Sequence, residues 1–197
     1  MKILAISDTH GNTGLVKKIA EIAEKEKVDL ILHGGDLTWF GKEEKGILAP
    51  LTKKNTVLMV HGNHDPENLL EKLESAYPTA ISIHKKSHLI DNIGFFGTGT
   101  TDWGFIEDSH IVFKELKDAH SDIKDLKKKI MISHSPPTGS MIELMGFPGS
   151  YGVRKAIKEF RPDVVITGHI HEGGGLIEDI DGTKVINASM SPIIFEI

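Results

Sequence analysis

The stretch KILAISDTHGN, residues 2–12, decides how the chain is read. Lys2–Ser7 is a short, apolar, β-rich run, and it stops at Asp8-Thr9-His10, where two metal-ligating side chain types stand one residue apart. The arrangement recurs. Asp29–His33 runs into Gly34-Gly35-Asp36, and Thr56–His61 into Gly62-Asn63-His64-Asp65. Ile130–Ser133 runs into His134, and Val164–Thr167 into Gly168-His169-Ile170-His171. Continuously apolar runs predict strands buried on both faces, as in sheets covered by helices. Open α/β sheets bind ligands at the carboxyl ends of their strands, where these motifs are expected to fall.

Helical patterns lie between these runs. Leu15, Ile19 and Ile22, with Val16, Ala20 and Ala23, predict a helix from about Thr13 to Lys25. Val153, Ala156, Ile157 and Phe160 predict another, stopped by Pro162. Pro66 fits the first turn of a third helix, with Asp65 at its cap. Further on, Ile81–Ile83, Leu89–Asp91 and Gly94–Gly97 read as antiparallel strands. Leu176–Ile180 and Lys184–Asn187 read as a hairpin through Asp181-Gly182. Residues 98–109 and 135–151 read as long loops, a length at which loops are often functional.

Composition bounds the chemistry. The 197 residues, 39% hydrophobic and 26% charged, predict a single globular domain over residues 1–197. The start of the chain lacks the pattern of a signal peptide, and no apolar run reaches membrane-spanning length, so a cytoplasmic protein is expected. Without cysteine, any metal must take His, Asp and Asn ligands. A net charge of −5 argues against broad nucleic-acid binding. The two arginines, Arg154 and Arg161, lie outside the motifs, so bound metals would have to supply positive charge for a phosphate.

Asp8 and His10 are expected on the same side of an extended segment, and His169 and His171 likewise. With Asp36, Asn63 and His134 they make seven candidate ligands, too many for one tetrahedral ion and suited to two sharing a ligand. A bridge must offer two oxygens to cations about 3.5–4 Å apart. Asp36, behind the Gly34-Gly35 pair, fits that demand, whereas Asn63 offers a neutral oxygen. With two carboxylates, such a site keeps a net charge of about +2, or roughly +1 with a bound hydroxide, and attracts a phosphate.

Taken together, D-x-H at Asp8–His10, G-D at Gly35–Asp36, G-N-H-D at Gly62–Asp65, His134 and G-H-x-H at Gly168–His171 resemble the calcineurin-like metallophosphoesterases, over essentially the whole chain. The opening Ser7–Asn12 is similar to the small bacterial and archaeal members. Gly35-Asp36-Leu37-Thr38-Trp39-Phe40 departs from the G-D-Y-V-D-R-G motif of the protein phosphatases. The resemblance implies a four-layer αββα sandwich, with two mixed β-sheets flanked by helices. It implies one metal on Asp8, His10, Asp36 and His171, and a second on Asp36, Asn63, His134 and His169. The ions would be divalent, manganese first, with iron, zinc, nickel or cobalt also compatible.

In that family pattern His64 faces the substrate, and its ordinary pKa of about 6.5 suits protonation of a leaving alkoxide. Asp65 either orients it or caps the following helix, the cap being preferred. The implied activity is hydrolysis of a small phosphodiester or nucleotide by a metal-bridging hydroxide, with a diester favoured over a monoester. A nuclease of the same superfamily and a metal-binding protein-interaction scaffold are the alternatives; a homo-oligomer stays open. His33 and His61 read equally as partners of the ligands or as strand-end residues. His84, His88, His110 and His120 read as surface histidines, and Lys124–Lys129 as a solvated helix face. Trp39, Phe40, Trp103, Phe105 and Phe147 read as core packing, with a stacking wall for a flat leaving group as the alternative.

Overall fold

The computed structural model describes residues 1–42, 46–99 and 108–197. In chain order its elements begin β1 (Lys2–Ile6), α1 (Thr13–Glu26), β2 (Leu30–His33), α2 (Ala49–Thr52), β3 (Thr56–Met59), α3 (Leu69–Ala76), β4 (Ala80–Ser82), β5 (Lys86–Ile90) and β6 (Ile93–Thr98). They continue α4 (Ser109–His120), β7 (Lys128–Ser133), α5 (Met141–Leu144), α6 (Tyr151–Phe160), β8 (Val164–Thr167), β9 (Ile177–Ile180), β10 (Thr183–Asn187) and β11 (Ile193–Glu196). One sheet has the order β11-β1-β2-β3-β4, the other β5-β6-β7-β8-β10-β9. Both are mixed: the inner pairings are parallel, and β11, β5 and β9 run antiparallel to their neighbours.

Alternation along the strands sorts the apolar residues into layers. On β1, Leu4 and Ile6 face α1, α2 and α3, joined by Ile31, Val57 and Met59 from β2 and β3. Ile3, Ala5, Leu30, Leu32 and Leu58 point the other way and meet Phe95, Ile130, Ile132, Val164 and Ile166 of the second sheet. The back of that sheet, with Phe96, Met131 and Val165, packs on Val112 and Leu116 of α4 and Val153, Ala156 and Ile157 of α6. This is the four-layer αββα sandwich that the family resemblance implies.

Several local expectations are corrected. The segment read as Ile81–Ile83 is β4, which pairs parallel to β3 in the first sheet, so only β5 and β6 form an antiparallel pair there. Pro66 does not open α3; its carbonyl accepts from Leu69 N, and the helix starts at Leu69 behind Asn68. Asp65 is therefore not a helix cap. Lys124–Lys129 is not a helix face either, because it turns out of a 3-10 segment into β7. Helix α4, unread in the sequence, is capped by Asp108, whose side chain accepts from His110 N and Ile111 N. His120 is buried and stacks on Phe160 at 4.5 Å rather than facing solvent.

Leu58 stands fully buried between the sheets, whereas Leu89 on edge strand β5 is 55% exposed. Leu58→Ala is expected to lower the unfolding free energy by roughly 2–5 kcal/mol, and Leu89→Ala by under about 0.5 kcal/mol. Urea denaturation of both variants checks the assignment of layers.

Candidate metal centre

At the end of β1 the backbone turns sharply. Asp8 (φ 58°), His10 (φ 45°), Asp36 (φ 54°) and His169 (φ 70°) all take the left-handed conformation. The extended D-x-H and H-x-H geometry expected from spacing is thus replaced by tight turns. Left-handed backbone costs an L-residue roughly 1–2 kcal/mol and persists where its surroundings enforce it. Enforcement here is a short ladder between two loops. Asp8 N donates to Gly35 O (2.9 Å), His10 N to Asp36 O (2.9 Å) and Gly11 N to Leu37 O (2.7 Å). The glycines permit the approach: a Cβ on Gly62 would strike the Asp36 carboxylate and lie 2.6 Å from His134 Cε1.

Asp36 Oδ2 is the focus. His134 Nε2 lies 3.5 Å from it, His10 Nε2 3.7 Å and His64 Nε2 3.9 Å. Oδ1 of Asp36 accepts from the His64 backbone N–H at 2.8 Å. To one side, His10 Nε2 and His171 Nε2 are 3.1 Å apart, and Asp8 Oδ1 is 3.5 Å from His171. To the other, Asn63 Oδ1 is 3.0 Å from His134 Nε2 and 2.9 Å from His169 Nδ1. All eight residues singled out in the sequence therefore meet. His169 and His171 separate, however, one toward Asn63 and one toward His10, instead of sharing a side.

The donors fit divalent cations. Ligand atoms of Asp8, His10 and His171 lie within 4.8 Å of one another, as do those of Asp8, Asp36 and His134. Two imidazole Nε2 atoms facing at 3.1 Å can share one proton at most, whereas a cation would satisfy both lone pairs. His134 Nδ1 donates to Gly34 O at 2.8 Å, which leaves Nε2 as the inward, ligand-type nitrogen.

Charge is concentrated and dry. Asp8 and Asp36 are buried, which by itself raises a carboxyl pKa. Neighbouring histidines overcome burial and hold both below the ordinary range: His171 and His134 beside Asp8, His134 beside Asp36. His134 answers in kind; burial opposes its charge, but Asp36 and Asp8 push it up to about 9. Burial, reinforced by the His134 charge, takes His169 down to about 4. His64 is also lowered, chiefly by burial, with Asp36 opposing.

Three further residues support the centre. His33 Nδ1 accepts from Gly35 N (3.2 Å), so its Nε2 donates to Thr9 Oγ1 (3.1 Å), joining the two ligand loops. Asp65 accepts from Leu37 N (3.1 Å), Thr38 N (2.8 Å), Thr38 Oγ1 (2.9 Å) and Gly62 N (3.0 Å), fastening the Asp36 loop to the Asn63 loop. His84 is not a surface histidine. Its Nδ1 accepts from Gly99 N (2.9 Å) and its Nε2 meets His61 Nε2 at 3.2 Å, behind the Asn63 loop. The core-packing reading of Trp39 and Phe40 is corrected too: they are 46% and 43% exposed and pack on His64. Trp103 and Phe105 lie outside the described residues. The doublet Trp39-Phe40, three residues past Asp36, is the available signal for the rim; nothing local marks His84.

A family model of the calcineurin-like phosphoesterases matches residues 1–173, and the chain belongs to that family. An uncharacterized protein of Methanocaldococcus jannaschii, MJ1162, is 32% identical over 200 residues, covering 96% of this chain and 88% of that protein. The crystal structure of TT1561 of Thermus thermophilus matches with a TM-score of 0.79 at 20% identity, over 96% of this chain and 90% of that one. A structure described as a novel archaeal phosphodiesterase matches with a TM-score of 0.54 at 24% identity, over 95% and 82%. These structures share the fold. The family joins it to a dinuclear divalent metal centre and phosphoester hydrolysis.

Asp65→Asn turns one acceptor oxygen into an NH2 donor, so that one or two of the Leu37, Thr38 and Gly62 backbone N–H groups lose their acceptor; urea denaturation is expected to read a loss of roughly 1–3 kcal/mol. His84 carries a pH signature. Burial, with help from His61, Lys85 and Lys86, takes it down to about 3, so it is neutral when folded and protonated when unfolded between about 6.5 and 3. Its stabilisation is present above pH 6.5 and lost as pH falls through that window, by up to roughly 1 kcal/mol per pH unit. In chelator-treated His84→Asn, unfolding measured from pH 7.5 to 4.5 is expected to fall less steeply than in the parent protein.

Proposed function

We propose that the chain is a two-metal phosphoesterase acting on a small phosphodiester or nucleotide. The observation that supports this reading is the gathering of six other ligand-type side chains around Asp36, with His64 beside them. One divalent ion would be held by Asp8, His10, Asp36 and His171, and the other by Asp36, Asn63, His134 and His169. Manganese is the first candidate. When bound, such ions supply Lewis acidity that activates water and offsets the charge of the phosphate.

The chain's own residues do the rest. Asp36, with one carboxylate oxygen fixed by the His64 N–H, presents the other to the centre. Asn63 contributes an oxygen without charge, which keeps the site electropositive once loaded. His64 stands on the rim side of Asp36, where its Nε2 can donate to a phosphate oxygen and give a proton to the departing alkoxide. Bound phosphate would favour the imidazolium that burial disfavours. Neither arginine belongs to this site. Both line a groove on α6, where Arg154 pairs with Asp181 at 3.1 Å. A diester carries one negative charge fewer than a monoester dianion, and so suits a site whose cationic side chains, among the described residues, are histidines.

The test is to strip the protein with chelator, restore manganese and compare bis-nitrophenyl phosphate with nitrophenyl phosphate. Hydrolysis is expected with manganese only, faster for the diester, and lost by at least about 100-fold in Asp36→Ala. Faster monoester hydrolysis would replace the diesterase reading with a phosphatase. Two bound metals without turnover of either substrate, or of a panel of nucleotides, would favour a scaffold.

A further inference from the structure

His64 is held in an unusual way. Its Nδ1 is buried and has no hydrogen-bond partner among the described residues. The adjacent carboxylate that could have oriented the ring, Asp65, spends both oxygens on Leu37, Thr38 and Gly62. Among the described residues the His64 hydrogen bonds are made by the backbone, the N–H to Asp36 Oδ1 and the carbonyl to Thr38 Oγ1 (3.2 Å), while Nε2 lies 3.9 Å from Asp36 Oδ2. Rotation of the ring about its side-chain bonds is limited by packing instead. The indole of Trp39 stacks on the imidazole at 4.7 Å with planes 29° apart. Phe40 covers it at 4.1 Å, and the His10 ring meets it edge-on at 4.9 Å. Trp39 in turn stands edge-on to Phe40 and to His10, both at 5.0 Å, so the rings brace one another.

We propose that Trp39 is a positioning residue for His64: stacking of the indole, rather than a hydrogen bond to Nδ1, keeps Nε2 aimed at the leaving-group oxygen. The proposal rests on the acid role given to His64 above. Trp39 and Phe40 lie near the rim, where core packing gives them no reason to be; both leave more than two-fifths of their surface in solvent. Aromatic pairs have preferred geometries, and a stacked indole constrains an imidazole plane without adding a charge or a competing proton acceptor. With no carboxylate on Nδ1 among the described residues, that side of the ring does not raise its basicity and so does not hold the Nε2 proton back.

The consequence is a dependence on the leaving group. A nitrophenolate departs without help, whereas an alkoxide needs a proton in the transition state. Trp39→Ala is therefore expected to lower kcat on an alkyl phosphodiester by about 10-fold or more, the size of loss that follows from a misplaced catalytic group. It should lower kcat on bis-nitrophenyl phosphate far less, with KM changing little on either. Trp39→Phe should restore most of the alkyl-ester rate, and Trp39→Ala should add little to the loss in His64→Ala. A readout independent of turnover is the His64 ring signal in proton–carbon NMR of the chelator-treated protein. It should shift and approach an averaged value in Trp39→Ala, and return toward the parent position in Trp39→Phe.

An unchanged His64 signal together with an unchanged alkyl-to-aryl rate ratio in Trp39→Ala would overturn the proposal. If His64→Ala itself shows no leaving-group dependence, the acid role fails, and the NMR signal alone then decides whether Trp39 orients the ring. Should Trp39→Ala not fold, Trp39→Leu takes its place in both measurements, with the same outcomes.

Discussion

Two carboxylates, Asp8 and Asp36, are buried at the junction of two sheets, and this placement governs the rest of the centre. An ionised carboxylate removed from water costs several kcal/mol unless opposite charge and hydrogen bonds replace its hydration. The chain meets that demand with histidines rather than lysine or arginine. His134 and His171 face these carboxylates, which hold both imidazoles above their ordinary range. The same nitrogens are the ones a divalent cation would take. A cation held as proposed would therefore compete with protons for one set of lone pairs.

The sandwich makes this possible by bringing the carboxyl ends of parallel strands from both sheets to one edge. The inter-sheet layer of Leu, Ile and Phe fixes the distance between the sheets, and close-packed interiors yield little. Loops leaving that edge can then be short and strained. Ladder bonds, the Asp65 carboxylate and His33 hold them, so the ligands occupy left-handed positions that an isolated loop would leave. Rigidity arises in the layers and reaches the ligands through these few polar ties.

How much of this can be read from the sequence depends on the kind of signal. Apolar runs ending in Asp, Asn and His give away strands β1, β2, β3, β7 and β8 and the eight side chains that meet at their ends, because burial and ligand chemistry are properties of residue type. The left-handed turns at Asp8, His10, Asp36 and His169 are hidden, since backbone angles there are imposed by contacts between loops 26 residues apart or more in sequence. Asp65 and His84 mislead for a related reason: their partners are backbone N–H groups of distant segments, and residue type does not announce those. Trp39 and Phe40 mislead because aromatic side chains are usually buried, and a rule drawn from that frequency fails at the mouth of a site.

The donor set is also divided between the two sheets. Asp8, His10, Asp36 and Asn63 follow strands of the first; His134, His169 and His171 follow strands of the second. Each of the two ion sites, as grouped above, draws on both. Neither sheet alone supplies a complete set, so two ions held as proposed would act as rivets across a seam. With the ligands grouped as proposed, a fragment ending before His169 would lack a ligand for each ion, so a complete site needs strands from both sheets.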